Sequence, residues 1–472
     1  MYTLLDKKQL DEIHLATLNV LERVGVVIYD DESFRLMGEA GCEVDQATRI
    51  VKIPKKVIDA TVDKTPHSLV LGAREKERDL LIERGRVSSR PGSGYTKVLD
   101  IETGQSRNAT MKDTTASARL VDALDNISFC ATHLIPSDVP VTMADVHAVR
   151  TCLENTTKHL FFSPLTYETF RTIVGMAQIV RGGQNEFVKR PLVSFLAATS
   201  TPLKIGQDCA RQIIACARSK VPVMLDSSPM LGTTGPVTLA GSLVLQNVED
   251  LAMNAIVQLS SPNSPVIYGT RCAPVDMRTG GLSWGSAETA LLSAAGVQIA
   301  HYYGMPSDAV GPCTDSKTHD EQVGFEKTLC SLFPALAGSE IVSGAGTMES
   351  LVGSSLAQLV IDDELYGMMF RALRGMIVDD ETLATDLIAQ VGHDASYIKY
   401  PHTLRYYEKE HYQPRLFDKS PRGRWQSAGH ARIEQVAKKK ADTILSKHEV
   451  PPLDRDIRKQ LDNIVRQLDA HL

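Results

Sequence analysis

The middle of the chain repeats one unit seven times, and this repetition constrains the fold more than any other feature of the sequence. Each unit consists of a short apolar run, a polar or Gly/Pro-containing loop, and an amphipathic helical pattern. The apolar runs are residues 129–135, 159–165, 192–198, 221–226, 265–270, 307–311 and 340–344, and the helices are predicted at about 143–154, 167–181, 206–218, 238–260, 286–303, 320–337 and 357–375. This alternation predicts a parallel sheet with helices packed outside it.

Seven such units favour a closed (β/α)8 barrel of the TIM type, with a doubly wound open sheet as the alternative. The eighth strand is not evident, and it could lie in the β-rich region before residue 110 or around residues 396–401. We interpret the chain as an N-terminal helix plus a small β-rich lobe (1–110), a catalytic barrel (111–404) and a C-terminal helical tail (405–472).

Composition excludes several classes of function. A net charge of -6 over 472 residues gives no reason to expect a nucleic-acid or membrane partner. The eight cysteines include no C-x-x-C pair, which favours reduced thiols and speaks against a zinc or iron–sulfur site. Residues 1–14 are charged rather than apolar, and no apolar run is long enough to span a bilayer. We therefore expect a cytoplasmic protein without its own metal.

The loop after the sixth of these strands gathers titratable groups of both signs. Asp315, Lys317 and His319 follow the apolar run 307–311, at the end of the sheet where barrel enzymes bind ligands. These three are candidates for the site. The next two residues, Asp320 and Glu321, are better explained as the cap and first turn of the following helix.

Three aromatic residues near two other strand ends suggest a wall for a cation. Trp284 lies in a Gly/Ser loop before a helix, and Phe162 and Tyr268 lie at strand ends. Aromatic faces attract quaternary ammonium groups, although ordinary packing at a barrel mouth explains the same pattern. Arg271 could bind a substrate carboxylate through two parallel hydrogen bonds, or could pair with a neighbouring aspartate.

Four further strand-end residues are candidates. His133 is either a satisfied core histidine or a substrate contact. Asp226 and Glu288 could each act as a general base or face a cation, while capping competes for Glu288. Glu349 is the one charge in the last Gly-rich loop, residues 343–350. The P-loop, dinucleotide, H-E-x-x-H and G-x-S-x-G motifs are absent from the sequence.

Five segments together carry a resemblance to a known family. They are LDEIHLATLNVLERVGV (10–26), LDIETGQSRNATMKD (99–113), Asp226 with the SSPMLGTTGPVTLAG that follows it (227–241), WGSAE (284–288) and GPCTDSKTHDEQVGFEK (311–327). In these segments, and over nearly its whole length, the chain resembles the trimethylamine methyltransferase family of corrinoid-dependent methyltransferases. The resemblance implies a (β/α)8 barrel with terminal additions, in agreement with the repeat.

The resemblance also implies methyl transfer from a methylated amine to the Co(I) corrinoid (cobalamin) of a separate corrinoid protein, so that this chain binds no corrinoid tightly itself. Members that act on trimethylamine contain pyrrolysine, whereas this chain has only standard residues. It therefore resembles the branch that demethylates quaternary amines such as glycine betaine, proline betaine and carnitine. That branch belongs to the one-carbon metabolism of methylotrophic anaerobes.

These implications suggest roles for the candidates. The aromatic rings would hold the cation, and Arg271, Lys317 or His319 would hold the carboxylate, while Asp315 and Glu349 would orient other groups. One alternative is a barrel hydrolase or lyase that uses Asp226, Glu288 and His319 as acid and base. Another is a non-catalytic betaine-binding protein. A homo-oligomer is possible, with the polar tail as a contact.

Overall fold

Eight short parallel strands form the centre of the computed structural model, which describes residues 2–100, 103–393, 396–429 and 431–469. The strands are β1 Ser88–Pro91, β2 Cys130–Ala131, β3 Leu160–Phe162, β4 Val193–Ala198, β5 Val223–Asp226, β6 Val266–Thr270, β7 Ser307–Val310 and β8 Ile341–Ala345. From β2 to β8 each strand pairs with the next in chain order, and β8 pairs with β1. The seven predicted strands are therefore confirmed.

Hydrogen bonds between β1 and the segment entering β2 close the sheet into a barrel. The backbone N–H groups of Ser128 and Phe129 donate to Ser89 O at 2.9 and 3.3 Å. The doubly wound alternative is wrong, because the strand order follows the chain without the reversal that such a sheet requires.

The eighth strand is β1, and it comes from the β-rich region before residue 110. The other position predicted for it, residues 396–401, instead forms a short 3-10 turn, Tyr397–Lys399, before a helix begins at Pro401. The barrel thus begins at Ser88, inside the segment assigned to the N-terminal lobe, while the three-part division of the chain stays a prediction.

Eight main helices surround the barrel, one after each strand. They are α1 Met111–Ala123, α2 Ala144–Asn155, α3 Tyr167–Arg181, α4 Gln207–Ser219, α5 Leu239–Ser260, α6 Ala287–Tyr302, α7 Glu321–Ala337 and α8 Leu356–Leu373. Local sequence sets their ends. At the start of α7 the Asp320 carboxylate accepts from Val323 N at 3.2 Å, which confirms its predicted capping role, and Gly338 ends the helix in the left-handed conformation (φ 100°).

A hairpin closes the end of the barrel where the strands begin. Its strands, Leu69–Leu71 and Leu80–Ile82, pack against Phe129, Phe161 and Met224 in an apolar cluster. Gly72 N donates to Pro191 O, just before β4, at 2.8 Å. The opposite end, where the strands finish, therefore holds the mouth of the barrel.

Additional helices and strands come before the barrel, between its strands and after it in the chain. The N-terminal part contains helices Lys7–Arg23, Asp31–Glu39 and Lys55–Val62 and strands Val26–Ile28, Glu43–Val44 and Ile50–Lys52. Short elements between the barrel strands are strands Lys97–Leu99, Ser106–Asn108, Lys204–Ile205, Met230–Leu231, Ala273–Pro274, Thr347–Met348 and Gly353–Ser354, and helix Gln184–Lys189. Helices Asp380–Leu383, Thr385–Val391, Pro401–Glu410, Arg422–Ser427, Ile433–Lys447 and Arg455–Asp469 follow α8.

The two long tail helices fold back onto the outside of the barrel. Helix Ile433–Lys447 packs against α8 and α1, and helix Arg455–Asp469 packs against α2 and α3. An ion pair between Arg150 and Asp462, with N and O 2.6 Å apart, fastens the second helix. The C-terminal part of the chain, predicted to be a helical tail, thus contains two long helices among its described residues, and residues 470–472 lie outside them.

Candidate active site

The mouth of the barrel contains a cavity of about 240 Å³. Residues from several strand ends line it, among them Arg90, Tyr95, Asp226, Arg271, Trp284, Val310, Cys313, Ser343 and Leu351. A larger cavity, of about 430 Å³, lies between the first halves of α7 and α8 under the tail. We place the site in the mouth cavity because barrel enzymes assemble their reacting groups at the strand ends.

A buried carboxylate beneath the cavity joins two arginines. Asp308, on β7, accepts from Arg90 Nε at 2.9 Å through one oxygen and from Arg271 Nη2 at 2.7 Å through the other. Ser343 Oγ, on β8, donates to the same carboxylate at 2.6 Å. The Arg90 guanidinium also lies 3.9 Å from the centre of the Phe161 ring. The sequence left two partners open for Arg271, a substrate carboxylate or a neighbouring aspartate. In the structure Arg271 pairs with the aspartate.

This cluster carries one excess positive charge. Burial alone would raise the pKa of Asp308, but the two guanidiniums and the Ser343 hydrogen bond outweigh it and hold that pKa below its usual value. Asp308 is therefore ionised at neutral pH and neutralises one of the two arginines. Both arginines line the cavity as well, so the excess charge faces its interior.

Asp226 supplies a titratable charge to the same cavity. Burial raises the pKa of its carboxyl to about 6, although Arg271 and a 3.1 Å hydrogen bond from Ser228 Oγ oppose the shift. The carboxyl is protonated below pH 6 and ionised above it. The net charge of Asp226 together with Arg90, Asp308 and Arg271 therefore falls from +1 to 0 as the pH rises through about 6.

The buried Asp226 carboxylate should make stability depend on pH. Its folded pKa of about 6 lies above the unfolded value, so its contribution is full below the unfolded pKa and is lost as the pH rises through 6. We expect Asp226→Asn to remove this loss and to be more stable than wild type by about 3 kcal/mol above pH 6. Urea unfolding from pH 4 to pH 8 measures the difference. Asp276→Asn, at a half-buried carboxyl whose pKa is lowered, is the control and should show no such gain. A pH-independent difference for Asp226→Asn would contradict the assignment.

Trp284 forms the apolar side of the cavity. It is buried against Ala273, Val310 and Cys313, two residues before the Ser286 cap of α6. The loop that carries it is fixed by Asp315, whose Oδ1 accepts from Gly285 N at 3.1 Å and from Ser350 Oγ at 2.8 Å. Asp315 therefore ties three loops of the mouth together rather than lining the cavity, and burial raises the pKa of its carboxyl.

Three consecutive residues of the loop after β8 have left-handed backbones. Glu349, Ser350 and Leu351 have φ angles of 52°, 52° and 69°, and none is glycine. Each costs roughly 1–2 kcal/mol, so the surrounding contacts must hold the segment in place. Backbone hydrogen bonds from Glu349 N to Ser316 O and from Ser350 N to Thr314 O do so, at 3.0 and 2.9 Å. The strained turn brings Leu351 into the cavity wall, and the Glu349 side chain is not among the lining groups.

A buried ion pair supports the mouth from outside the barrel. Lys327 Nζ, on α7, donates to Pro312 O at 2.7 Å and to Asp362 Oδ2, on α8, at 2.9 Å. The same Asp362 oxygen accepts from Gly346 N at 2.7 Å. The pair therefore holds the loop after β7 and the loop after β8 through one contact each.

His133 stabilises the wall of the cavity without lining it. Its Nδ1 donates to Gly92 O at 2.8 Å, and its Nε2 accepts from Ser354 Oγ at 2.5 Å. Burial lowers the pKa of His133 to about 4, so the ring is neutral at physiological pH. The sequence allowed two interpretations of His133, a satisfied core histidine or a substrate contact. This arrangement corresponds to the first.

The predicted aromatic wall is wrong for two of its three members. The Phe162 ring stacks with Phe170 of α3 at a centroid distance of 6.2 Å, and the Tyr268 hydroxyl donates to Asn247 Oδ1 of α5 at 3.1 Å. Both side chains face the helix layer, because alternate residues of a barrel strand point outward. Of the three, Trp284 alone lines the cavity.

The remaining candidates do not meet at the mouth. Lys317 is exposed, and its ammonium donates to Asp315 O at 2.6 Å. His319 lines the outer cavity beside α7, where burial lowers the pKa of its ring, and Glu288 is exposed in the first turn of α6. The hydrolase or lyase alternative is therefore wrong, because Asp226, Glu288 and His319 do not share one cavity.

Sequence reasoning missed four residues of the site: Arg90, Tyr95, Asp308 and Ser343. A charged residue inside a run otherwise typical of a buried strand was the available signal for Asp308, which the sequence presents as Ser-Asp-Ala-Val. Arg90 gave a weaker signal, an arginine just before Pro-Gly. Tyr95 and Ser343 carried no distinguishing signal.

Two further features are absent from the described part of the chain. Residues 2–100, 103–393, 396–429 and 431–469 contain no group of three His, Cys, Asp or Glu side chains arranged to hold a metal ion. Within the same ranges, no helix combines the length and the apolar character needed to cross a membrane.

The fold and the cavity together are those of (β/α)8 barrel proteins that bind small molecules at the ends of their strands. Solved structures of similar fold include the monomethylamine methyltransferase of Methanosarcina barkeri. It is 14% identical with a TM-score of 0.50, and the match covers 92% of each chain.

Sequence comparison identifies the family to which the chain belongs. The family described as Trimethylamine methyltransferase (MTTB) matches residues 1–472. A trimethylamine methyltransferase of Methanosarcina barkeri is 34% identical over 468 residues, which cover 98% of this chain and 94% of the relative. A glycine betaine methyltransferase of Desulfitobacterium hafniense (strain Y51) is 30% identical over 468 residues, covering 99% and 97%. The chain belongs to the trimethylamine methyltransferase family.

Proposed function

We propose that this protein demethylates a quaternary amine that carries a carboxylate, such as glycine betaine, proline betaine or carnitine, and passes the methyl group to the corrinoid of a separate protein. The observation that carries the proposal is the pair of arginines, Arg90 and Arg271, lining a cavity that also contains Trp284. The named relatives include both trimethylamine and glycine betaine enzymes at similar identity, so the substrate class has to be argued from the site.

The arginine cluster suits a substrate carboxylate. Asp308 neutralises one of the two guanidiniums, and the other keeps its positive charge at the cavity, where the Asp226 carboxylate balances it only above about pH 6. An anionic group bound there would gain a charge-assisted hydrogen bond from a buried guanidinium. Trimethylamine has no group that could use this charge. The chain also contains only standard residues, as in the branch of the family without pyrrolysine.

The apolar part of the cavity lining suits an N-methyl group. Trp284, Val310 and Leu351 present apolar surface, and the indole face can attract a cation without a hydrogen bond. The volume of about 240 Å³ lies below the roughly 300–1,000 Å³ of pockets for drug-sized ligands, as expected for a small substrate. A zwitterion could therefore place its carboxylate at the arginines and its N-methyl groups at the apolar residues of the lining.

Methyl transfer from a quaternary amine requires positioning more than proton transfer. The C–N bond breaks, the tertiary amine keeps the electron pair, and no proton is needed for the amine to leave. The corrinoid, in its Co(I) state, supplies the electron pair that forms the new bond to the methyl carbon. The role of the chain is then to align the substrate and to exclude water from the cavity.

The rim of the mouth supports docking of a protein partner. Exposed apolar side chains follow β2, β3, β5, β6 and β8, namely Val141, Leu165, Val237, Met277 and Val352. Val141 is 80% exposed and Met277 is 72% exposed, and exposed apolar side chains grouped on one face mark interaction sites in proteins. They surround the opening through which an acceptor must approach. A corrinoid protein that docks on this rim would cover the cavity.

Purified protein should demethylate betaines in the presence of cob(I)alamin as a stand-in acceptor. Glycine betaine, proline betaine, carnitine, choline and trimethylamine are compared by the loss of cob(I)alamin absorbance and by mass spectrometry of the demethylated amine. We expect turnover with one or more of the betaines and much less with trimethylamine. Turnover of trimethylamine alone would overturn the substrate class, and binding of betaine without turnover would support the non-catalytic alternative.

Replacement of Trp284 should weaken substrate capture. Trp284→Ala removes the indole face and is expected to cost about 1–2 kcal/mol, or roughly a 5- to 30-fold rise in KM. Trp284→Phe keeps an aromatic face and should lose less. The control is Trp425→Ala, because Trp425 lies in the tail helix Arg422–Ser427. An unchanged KM for Trp284→Ala would remove the indole from the substrate-binding wall.

A further inference from the structure

The cavity beneath the tail is larger than the cavity in the mouth, and the proposed methyl transfer does not use it. This outer cavity has a volume of about 430 Å³ and lies between the first halves of α7 and α8 and the start of the tail helix Ile433–Lys447. Apolar side chains from these elements and from the segment before the tail helix supply most of its surface, namely Val323, Ile361, Leu365, Phe417 and Ile433. A cavity of this size and lining is typical of a site for a small organic molecule.

A buried acceptor in the lining has no hydrogen-bond partner. Gln358, on α8, lines the outer cavity and is 1% exposed, and its Oε1 accepts no hydrogen bond from the described part of the chain. The orientation of the amide is fixed, because its Nε2 donates to the Asp362 carboxylate at 2.8 Å and a carboxylate only accepts. An unpaired buried oxygen is unfavourable, so a molecule that brings a donor into the cavity gains binding energy there.

The charges of the lining favour a cation. Among the described residues they form two ion pairs and leave two further carboxylates, namely Lys327–Asp362, Arg432–Glu434, Asp320 and Glu321. Both pairs are neutral, so the lining has two more negative charges than positive ones. The His319 ring adds no charge at neutral pH, since burial lowers its pKa. A bound anion would therefore be repelled, whereas an organic cation would be attracted.

We propose that the outer cavity is a second binding site, for an organic ammonium ion that has at least one N–H group and an apolar body. The N–H group donates to Gln358 Oε1, the two excess carboxylates balance the charge, and the apolar body packs against Ile361, Leu365 and Phe417. A quaternary ammonium ion has no N–H group and leaves the Gln358 oxygen unpaired. The outer cavity therefore selects primary, secondary or protonated tertiary amines, and this selection does not depend on the reaction in the mouth.

Three ligands of one shape test the proposal on the full chain. Phenethylammonium has both the N–H groups and the charge, phenethyltrimethylammonium keeps the charge without an N–H group, and hydrocinnamate replaces the cation with an anion. Isothermal titration calorimetry at neutral pH should show that phenethylammonium binds roughly tenfold tighter than the trimethyl ion, because one hydrogen bond from a charged donor is worth about that factor.

Variants locate the binding. Ile361→Trp places a bulky ring in the outer cavity and should abolish the binding of phenethylammonium, whereas Trp284→Ala, in the mouth, is the matched control and should leave it unchanged. Gln358→Met keeps the length of the side chain without the acceptor, so it should weaken phenethylammonium about tenfold and leave the affinity for the trimethyl ion unchanged. Circular dichroism checks that each variant is folded.

A crystal structure of the unaltered protein with phenethylammonium provides a measurement that needs no variant. We expect the ammonium nitrogen within hydrogen-bonding distance of Gln358 Oε1. An ordered water alone on that oxygen at saturating phenethylammonium would overturn the proposal. Equal affinity for the two cations, or hydrocinnamate binding that Ile361→Trp removes, would also overturn it. None of these outcomes bears on methyl transfer in the mouth, which the cob(I)alamin assay measures separately.

Discussion

Arg271→Gln is expected to lower kcat/KM for glycine betaine far more than kcat/KM for choline. The physical reason is that choline shares the trimethylammonium group but lacks the carboxylate, so it loses nothing when the anchoring charge is removed. A hydrogen bond to a charged group contributes about 2–3 kcal/mol in a buried site, so we expect a roughly 30- to 150-fold selective loss for the betaine. Initial rates with cob(I)alamin and both substrates measure this ratio.

Comparing the two substrates separates the effect of Arg271→Gln on carboxylate binding from its effect on the stability of the fold. Arg271 also neutralises Asp308, so the variant is less stable, but instability lowers both rates equally and cancels in the ratio. Arg278→Gln is the matched control: Arg278 lies on the same loop after β6 and is 90% exposed in its pair with Asp276. Equal losses of both substrates in Arg271→Gln would remove Arg271 from the role of carboxylate anchor.

The strongest sequence predictions were those that rest on apolar periodicity. Helices such as α3 and α5 were predicted to within a residue or two, because a long buried face repeats every three to four residues. Apolar periodicity does not identify strand β1. Its sequence, Ser-Ser-Arg-Pro, is polar although all four residues are buried, since it faces a charged cavity rather than an apolar core. Hydrophobicity therefore locates the seven apolar strands of the barrel but not this polar strand, which supplies Arg90 to the cavity.

The misplaced aromatic wall has a different cause. Successive residues of a strand point to opposite faces, so a displacement of one residue exchanges the barrel interior for the helix layer. Ile267 belongs to the interior cluster, and Tyr268 beside it packs among the helices. Both residues are apolar enough for either face. The sequence could place Tyr268 at a strand end, but it could not decide the direction of the side chain.

The charged residues around the cavity fall into two groups, those that line the cavity and those that hold its walls in place. Arg90, Arg271 and Asp226 line the cavity, where their charges can act on a substrate. Asp315 and the Lys327–Asp362 pair lie behind it and hold the loops that form its walls. Loops were expected to carry the function, whereas the supporting groups lie on helices or join distant loops. Such pairings are tertiary, so no local pattern in the sequence indicates them.

Lys327→Met should strongly destabilise the folded protein. Lys327 and Asp362 are almost completely buried, so loss of the ammonium leaves a carboxylate without its counter-charge. Breaking a buried pair in this way costs about 3–5 kcal/mol. Burial already raises the pKa of Asp362, and without Lys327 that pKa rises further. Because the protonated carboxyl is then favoured in the folded state, the variant should lose more stability at pH 8 than at pH 5.

Urea unfolding of Lys327→Met at these two pH values measures the loss. The double variant Lys327→Met, Asp362→Asn removes the buried charge as well, so it should recover most of the stability and the pH dependence should disappear. Lys52→Met, which breaks the exposed pair with Glu43, is the control and should cost less than about 1 kcal/mol. If the double variant were as unstable as the single one, the cost would come from the lost contact with Pro312 O rather than from the stranded charge. Since that contact holds the loop of the mouth that contains Cys313, the double variant should also transfer methyl groups more slowly than wild type even when it is fully folded.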